Sequence, residues 1–158
     1  MAEHDYSRMA VLVVDDEPMM RQLIGRLLHD IGFGTIDAVE DGAEAMKRLE
    51  VSSSQYSVVL CDLEMPIISG LEFLQMLRSS KTVSNPNVPV VVVTGYGEEK
   101  NVWDAVKYGI HGFLIKPISR KAVEGRIEYA LSRPTIELEA LKRKPVRHAE
   151  VPVMDFNA

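Results

Sequence analysis

The chain has 158 residues, 46% hydrophobic and 26% charged, with a formal net charge of −5. That balance suits one soluble domain around one core, and it argues against a nucleic-acid partner and against a membrane-embedded body. The single cysteine, Cys61, excludes an intrachain disulfide, and the polar start of the chain lacks the apolar run of a signal peptide, so the expected compartment is the cytoplasm.

Residues 9–14 form the first apolar run and read as a buried strand. It ends in Asp15-Asp16-Glu17-Pro18, and Pro18 suits a first helical turn because its missing N–H is not needed there. Met20, Leu23, Ile24, Leu27, Leu28 and Ile31 then recur at helical spacing, and Gly32 is placed to stop the helix. Residues 34–39 make a weaker strand. Asp41 with Glu44 resembles a capping box before a short helix carrying Ala45, Met46 and Leu49. Residues 57–61 are the clearest buried strand, running straight into Asp62.

Ser69 and Glu72 form a second capping box, before a helix with Leu71, Phe73, Leu74, Met76 and Leu77 on its apolar side. Ile67-Ile68, in the preceding turn, is more apolar than a loop requires and is expected to pack locally. Residues 88–93 are the fourth strand, ending at Thr94-Gly95. Glu98 and Glu99 favour the first turn of the next helix, whose inner face is Val102, Ala105 and Val106. Residues 112–115 are the fifth strand, ending at Lys116-Pro117. Ser119 caps a last helix with Val123, Ile127, Ala130 and Leu131 facing inward. Strands alternating with helices in this way imply an α/β fold, a parallel sheet covered on both faces by right-handed crossovers.

The chemistry lies at the carboxyl ends of the strands. These ends converge on one edge of a parallel sheet although they are distant in sequence. The first strand delivers Asp15 and Asp16, the third Asp62, the fourth Thr94 and the fifth Lys116. Taken singly each is ordinary: a strand-end Asp is a turn or cap residue, Thr94 before Gly95 is turn chemistry, and Lys116 is a solvated charge. Together, three carboxylates repel one another, and a divalent cation relieves that repulsion. Carboxylate and carbonyl oxygens with several waters suit Mg²⁺. A metal, a lysine and a hydroxyl around one carboxylate make a cradle for a phosphoryl group on that carboxylate.

The chain resembles the receiver domain of bacterial two-component response regulators, with a stand-alone, chemotaxis-regulator-like character. The resemblance covers about residues 9–132 and rests on an ordered set of motifs. These are Val11-Leu12-Val13-Val14-Asp15-Asp16-Glu17, Val58-Val59-Leu60-Cys61-Asp62-Leu63-Glu64-Met65-Pro66 with Gly70, Val91-Val92-Val93-Thr94-Gly95 and Phe113-Leu114-Ile115-Lys116-Pro117. It implies a five-stranded, flavodoxin-like doubly wound sheet in the order 2-1-3-4-5, with five helices. Asp62 is implied to accept a phosphoryl group from a phosphohistidine on a sensor histidine kinase or histidine phosphotransfer protein. Asp16, Asp62 and the backbone carbonyl of Glu64 are implied to hold Mg²⁺, with Asp15 acting through a metal-bound water. By the same resemblance Lys116 is implied to pair with the phosphoryl oxygens, Thr94 to swing inward to bond them, and the ring of Phe113 to rotate in behind it.

On this reading the protein is a switch, not a turnover enzyme, and signals to a downstream effector protein through the face made by the fourth helix, fifth strand and fifth helix. Trp103 is the aromatic on that helix that lies off its apolar stripe. Glu64 and Tyr96 follow Asp62 and Thr94 at the same short spacing and are expected to overhang the phosphoryl group and tune its lifetime. Two other readings of the same residues are a pseudo-receiver that only binds, and an aspartate-nucleophile Mg²⁺ phosphatase. The latter normally carries its nucleophile on the first strand and has a substrate cap.

Residues 1–8 read as an N-terminal extension, 9–132 as the receiver domain and 133–158 as a C-terminal tail, disordered or with a short helix. The basic cluster Lys142-Arg143-Lys144 with Arg147 reads as a solvated tail and not as a nucleic-acid contact. The expected form is a monomer or a phosphorylation-dependent dimer, with no nucleic-acid or membrane partner.

Overall fold

A computed structural model describes residues 4–52 and 55–136. Five strands alternate with five helices: β1 (Ala10–Val14), α1 (Pro18–Ile31), β2 (Thr35–Val39), α2 (Gly42–Ser52), β3 (Tyr56–Asp62), α3 (Gly70–Arg78), β4 (Val90–Thr94), α4 (Lys100–Tyr108), β5 (Gly112–Ile115) and α5 (Arg120–Ser132). All strand pairings are parallel, and the order is β2-β1-β3-β4-β5. The doubly wound sheet expected from the alternation is therefore present.

Strand sequence follows strand position. β4 is Val-Val-Val-Val-Thr and is buried throughout, because helices cover both of its faces. β2 lies at the sheet edge and is mostly exposed or half-exposed, which is why its apolar pattern is weak. Alternation along the central strands divides the core. Leu12, Val14, Val59, Cys61, Val90 and Val92 join α2, α3 and α4 on one face; Val11, Val13, Leu60, Val91 and Val93 join α1 and α5 on the other. Each fully buried Leu in these layers contributes roughly 2–3 kcal/mol of transfer free energy.

Helix ends follow local chemistry. Gly32 takes φ 116°, a left-handed conformation that stops α1 and lets its N–H reach the Leu28 carbonyl. Ser69 and Glu72 complete a reciprocal capping box, and Ser119 accepts from the Ala122 amide at the start of α5. Asp41 accepts from the Glu44 amide at 2.8 Å. The acids before α4 do not enter its first turn, since the helix begins only at Lys100.

Several side chains depart from the periodic expectation. Leu23 and Met76 are each 40% exposed, because α1 and α3 are only half-covered and the apolar stripe is wider than the contact. Ile68 packs against the core, whereas Ile67 adopts φ 69° and stands in solvent, so the expected packing of that pair holds for one member only.

Residues ahead of β1 are folded onto the domain. Asp5 caps a single 3-10 turn, Tyr6–Arg8. The Tyr6 ring is buried against Phe33, centroid to centroid 4.7 Å, and its hydroxyl bonds the Glu128 carboxylate on α5. His4 Nδ1 lies 2.8 Å from the same carboxylate. Beyond α5, the Ile136 amide donates to the Ile110 carbonyl at 2.8 Å, and its side chain packs on the α2-α3-α4 face. Residues 137–158, including the basic cluster, lie outside the described residues.

Candidate functional site

The crevice forms where the strand order reverses. The chain leaves β1 toward β2 on one side and returns through β3 on the other, so the carboxyl ends of β1 and β3 flank an opening. Register places the acids there: Val14 pairs with Cys61, so Asp15 and Asp62 emerge side by side. Carboxylate oxygens of Asp15, Asp16 and Asp62 all lie within 4.8 Å of one another. Asp15 and Asp62 are buried, while Asp16 is half-buried at the rim.

The surrounding loops hold this cluster with backbone donors. The Glu17 amide donates to Asp15 Oδ1 at 2.9 Å and the Glu64 amide to Asp62 Oδ1 at 3.0 Å. Arg21 donates to the Asp15 carbonyl at 2.7 Å, tying α1 to the end of β1. A Cβ at Gly70 would sit 2.4 Å from the Asp62 carbonyl oxygen, so only glycine lets α3 begin this close to the acid. Lys116 arrives from β5, which pairs Ile115 with Thr94; its Nζ stands 3.5 Å from Asp62 Oδ2 and 3.8 Å from Glu17 Oε1.

Burial, reinforced by the adjacent Asp15 carboxylate and opposed by Lys116, raises Asp62 to about 7. Asp15 is raised as well, chiefly by burial. Its Oδ2 is buried without a hydrogen-bond partner. An orphaned carboxylate oxygen facing two further acids, one of them reluctant to ionise, is the donor set a hard divalent cation satisfies. The residues present thus fit Mg²⁺.

Thr94 is fully buried, yet its hydroxyl is directed to Glu64: Oγ1 donates to Glu64 Oε2 at 2.7 Å. The Gly95 amide donates to Glu64 Oε1 at 2.9 Å, and Asn101 Nδ2 to Oε2 at 3.2 Å. Glu64 therefore bridges the loop after β3 to the loop after β4. Phe113 is buried within the apolar cluster that includes Val102, Ala105 and Ile115. Tyr96 is 84% exposed. The structure thus gathers Asp15, Asp16, Asp62 and Lys116 and links Thr94 to the site's edge through Glu64. Phe113 is placed in the apolar cluster and Tyr96 at the surface.

Sequence reasoning gave no site role to Glu17 and Gly95, which it quoted only within motifs, and passed over Arg21 and Asn101. Glu17 adjoins the acid pair and was within reach of a pattern argument. Asn101 carries no such signal; only the approach of the two loops makes it a partner of Glu64.

A parallel sheet in this order, with three acids and a lysine at its switch point, defines a doubly wound α/β module with an acidic site at its strand ends. Residues 11–128 match the response regulator receiver domain family, and the chain belongs to that family. It is 29% identical over 125 residues to the chemotaxis protein CheY of Pseudomonas aeruginosa, covering 79% of this chain and 98% of that protein. A response regulator receiver domain protein of Clostridium thermocellum superposes with a TM-score of 0.71 at 27% identity, covering 79% of this chain and 95% of that one. The receiver domain of a Pseudomonas aeruginosa sensor histidine kinase, solved with a magnesium ion in its active-site cleft, has the same fold, with a TM-score of 0.69 at 21% identity over 79% of this chain and 98% of that one.

Proposed function

We propose that the protein is a cytoplasmic phosphorylation switch in which Asp62 takes a phosphoryl group from a phosphohistidine. The donor is a sensor histidine kinase or a histidine phosphotransfer protein. An Asp62 oxygen attacks phosphorus, the P–O bond forms as the P–N bond breaks, and the electron pair stays on the imidazole nitrogen, which takes up a proton from solvent. The observation that carries this reading is the convergence of Asp15, Asp16 and Lys116 on one buried carboxylate.

Each residue has a role set by its position. Lys116 favours the ionised, nucleophilic form of Asp62 and afterwards pairs with the phosphoryl oxygens. Asp16, Asp62 and the Glu64 backbone carbonyl would hold Mg²⁺, with Asp15 contributing through a water; bound there, it would supply the positive charge that offsets the carboxylate cluster and the incoming phosphoryl group. The added phosphoryl oxygens attract the Thr94 hydroxyl, and Phe113 follows, so that α4, β5 and α5 present a changed surface to an effector protein. Tyr96 and Glu64 set how long the modified state lasts. The chain acts by protein contact and not by turnover, as a monomer or a phosphorylation-dependent dimer.

The test is incubation with acetyl phosphate and Mg²⁺, followed by intact-mass measurement. Wild type is expected to gain one acid-labile phosphoryl group and Asp62→Asn none. Equal uptake by both proteins, or uptake by neither, removes the reading. Dephosphorylation of Tyr96→Ala is expected to be faster than that of wild type; an unchanged rate removes Tyr96 from the account.

A further inference from the structure

Glu64 engages the Thr94 hydroxyl, the donor that the proposed modified state calls on. A threonine hydroxyl has one proton to donate, and so does a backbone amide. In this structure Thr94 gives its proton to Glu64 Oε2 and Gly95 gives its own to Glu64 Oε1, at 2.7 and 2.9 Å. Both are hydrogen bonds to a carboxylate, of the stronger charge-assisted kind. Asn101, in the first turn of α4, adds a third donor at 3.2 Å. The carboxylate thus spans the end of β4, the following loop and the start of α4 at once.

We propose that the Glu64 side chain is an internal stand-in for the phosphoryl group. It holds Thr94, the β4–α4 loop and the head of α4 in the resting arrangement while Asp62 is unmodified. A phosphoryl group on Asp62 competes with it for the Thr94 proton, since one proton cannot serve both anions. Glu64 therefore sets the threshold of the switch: the modified state forms its Thr94 contact only by dissolving the one to Glu64. This rests on Asp62 being the phosphoacceptor, and it adds an element that opposes activation from within the chain. Glu64 acts here as a positioning residue through Thr94, distinct from its backbone role at the cation.

The competition is measurable with beryllium fluoride as the phosphoryl analogue, in Mg²⁺, read by the fluorescence of Trp103, the single tryptophan, which sits on α4. Glu64→Ala is expected to bind the analogue roughly tenfold tighter, within the usual span of coupling between sites. Glu64→Gln, which keeps one acceptor oxygen but no charge, is expected to fall between. Loss of charge repulsion alone would also tighten binding, so the same substitution is made on a Thr94→Val background. There the gain is expected to shrink to about twofold or less, because the coupling runs through the Thr94 hydroxyl. A gain that persists in full on Thr94→Val, or no gain in Glu64→Ala, overturns the proposal.

A second readout needs neither metal nor analogue. Amide hydrogen exchange at Gly95 in the unmodified protein is expected to be at least about tenfold faster in Glu64→Ala, with wild-type melting behaviour retained. An unchanged exchange rate overturns the hold on the loop. The underlying reading fails differently. If wild type binds no beryllium fluoride and Asp62→Asn changes nothing, the phosphoacceptor role falls and the competition with it, whatever the exchange rates.

Discussion

Lys116 and Asp62 form an unequal pair: their charged atoms are 3.5 Å apart, with the aspartate side chain 2% exposed and the lysine side chain 21% exposed. The lysine also faces Glu17 Oε1 at 3.8 Å, so one cation is shared between a buried acid and a solvated one. Its pull on Asp62 opposes burial and the Asp15 charge, and those two win. Strand pairing forces the meeting: the Lys116 amide donates to the Thr94 carbonyl, placing the lysine backbone at the end of β4.

Replacing Lys116 by Met removes a nearby positive charge that favours ionised Asp62. The Asp62 carboxyl should then titrate above its wild-type position of about 7. Carbon-detected NMR titration of the aspartate carboxyls in metal-free protein measures this. A titration midpoint unmoved or lowered in Lys116→Met contradicts the assigned role.

In the absence of divalent cations Asp62 makes stability fall as pH rises. The native state keeps a proton on Asp62 up to about 7, whereas an unfolded aspartate loses it near 3.8. Between those values the native state binds more protons, so the unfolding free energy decreases with pH. In EDTA at pH 8, Asp62→Asn should be more stable than wild type by about 2–4 kcal/mol, an advantage that vanishes near pH 4. Added Mg²⁺ should raise the wild-type melting temperature by mass action. Urea titrations at the two pH values, with and without Mg²⁺, measure both effects.

His111 has the opposite sign. Burial and the neighbouring Arg78 guanidinium lower it to about 4, against 6.5 in an unfolded chain. Its Nδ1 accepts from the Val90 amide at 3.2 Å, a role only an unprotonated nitrogen can fill. Between pH 6.5 and 4 the unfolded state binds the extra proton, so stability is lost as pH falls through that window, by up to about 3 kcal/mol. His111→Asn offers a side-chain oxygen in place of Nδ1 and no titratable group. Its denaturation midpoint should show a flatter pH dependence between 4 and 6.5 than that of wild type. Identical slopes would remove His111 as the cause.

The amino-acid sequence determined the elements and their order. Apolar runs of strand length and helical stripes depend on local periodicity, so all five strands, β2 the most weakly, and their intervening helices were legible, as were the caps at Ser69 and Ser119. It also placed an acid, a hydroxyl or a lysine at particular strand ends, since burial of the preceding residues leaves little choice of direction there. Tertiary structure decided what those groups do to one another. The register of Val14 against Cys61 brings Asp15 beside Asp62; burial raises both, and the Asp15 charge raises Asp62 further. The approach of two loops distant in the chain turns Glu64 toward Thr94, Gly95 and Asn101. The packing of α5 over the chain's start buries Tyr6 in a segment that read as an extension. Periodicity is a property of neighbours along the chain. Charge repulsion, desolvation and competition for a single proton arise between neighbours in space, and only the folded sheet makes these residues neighbours.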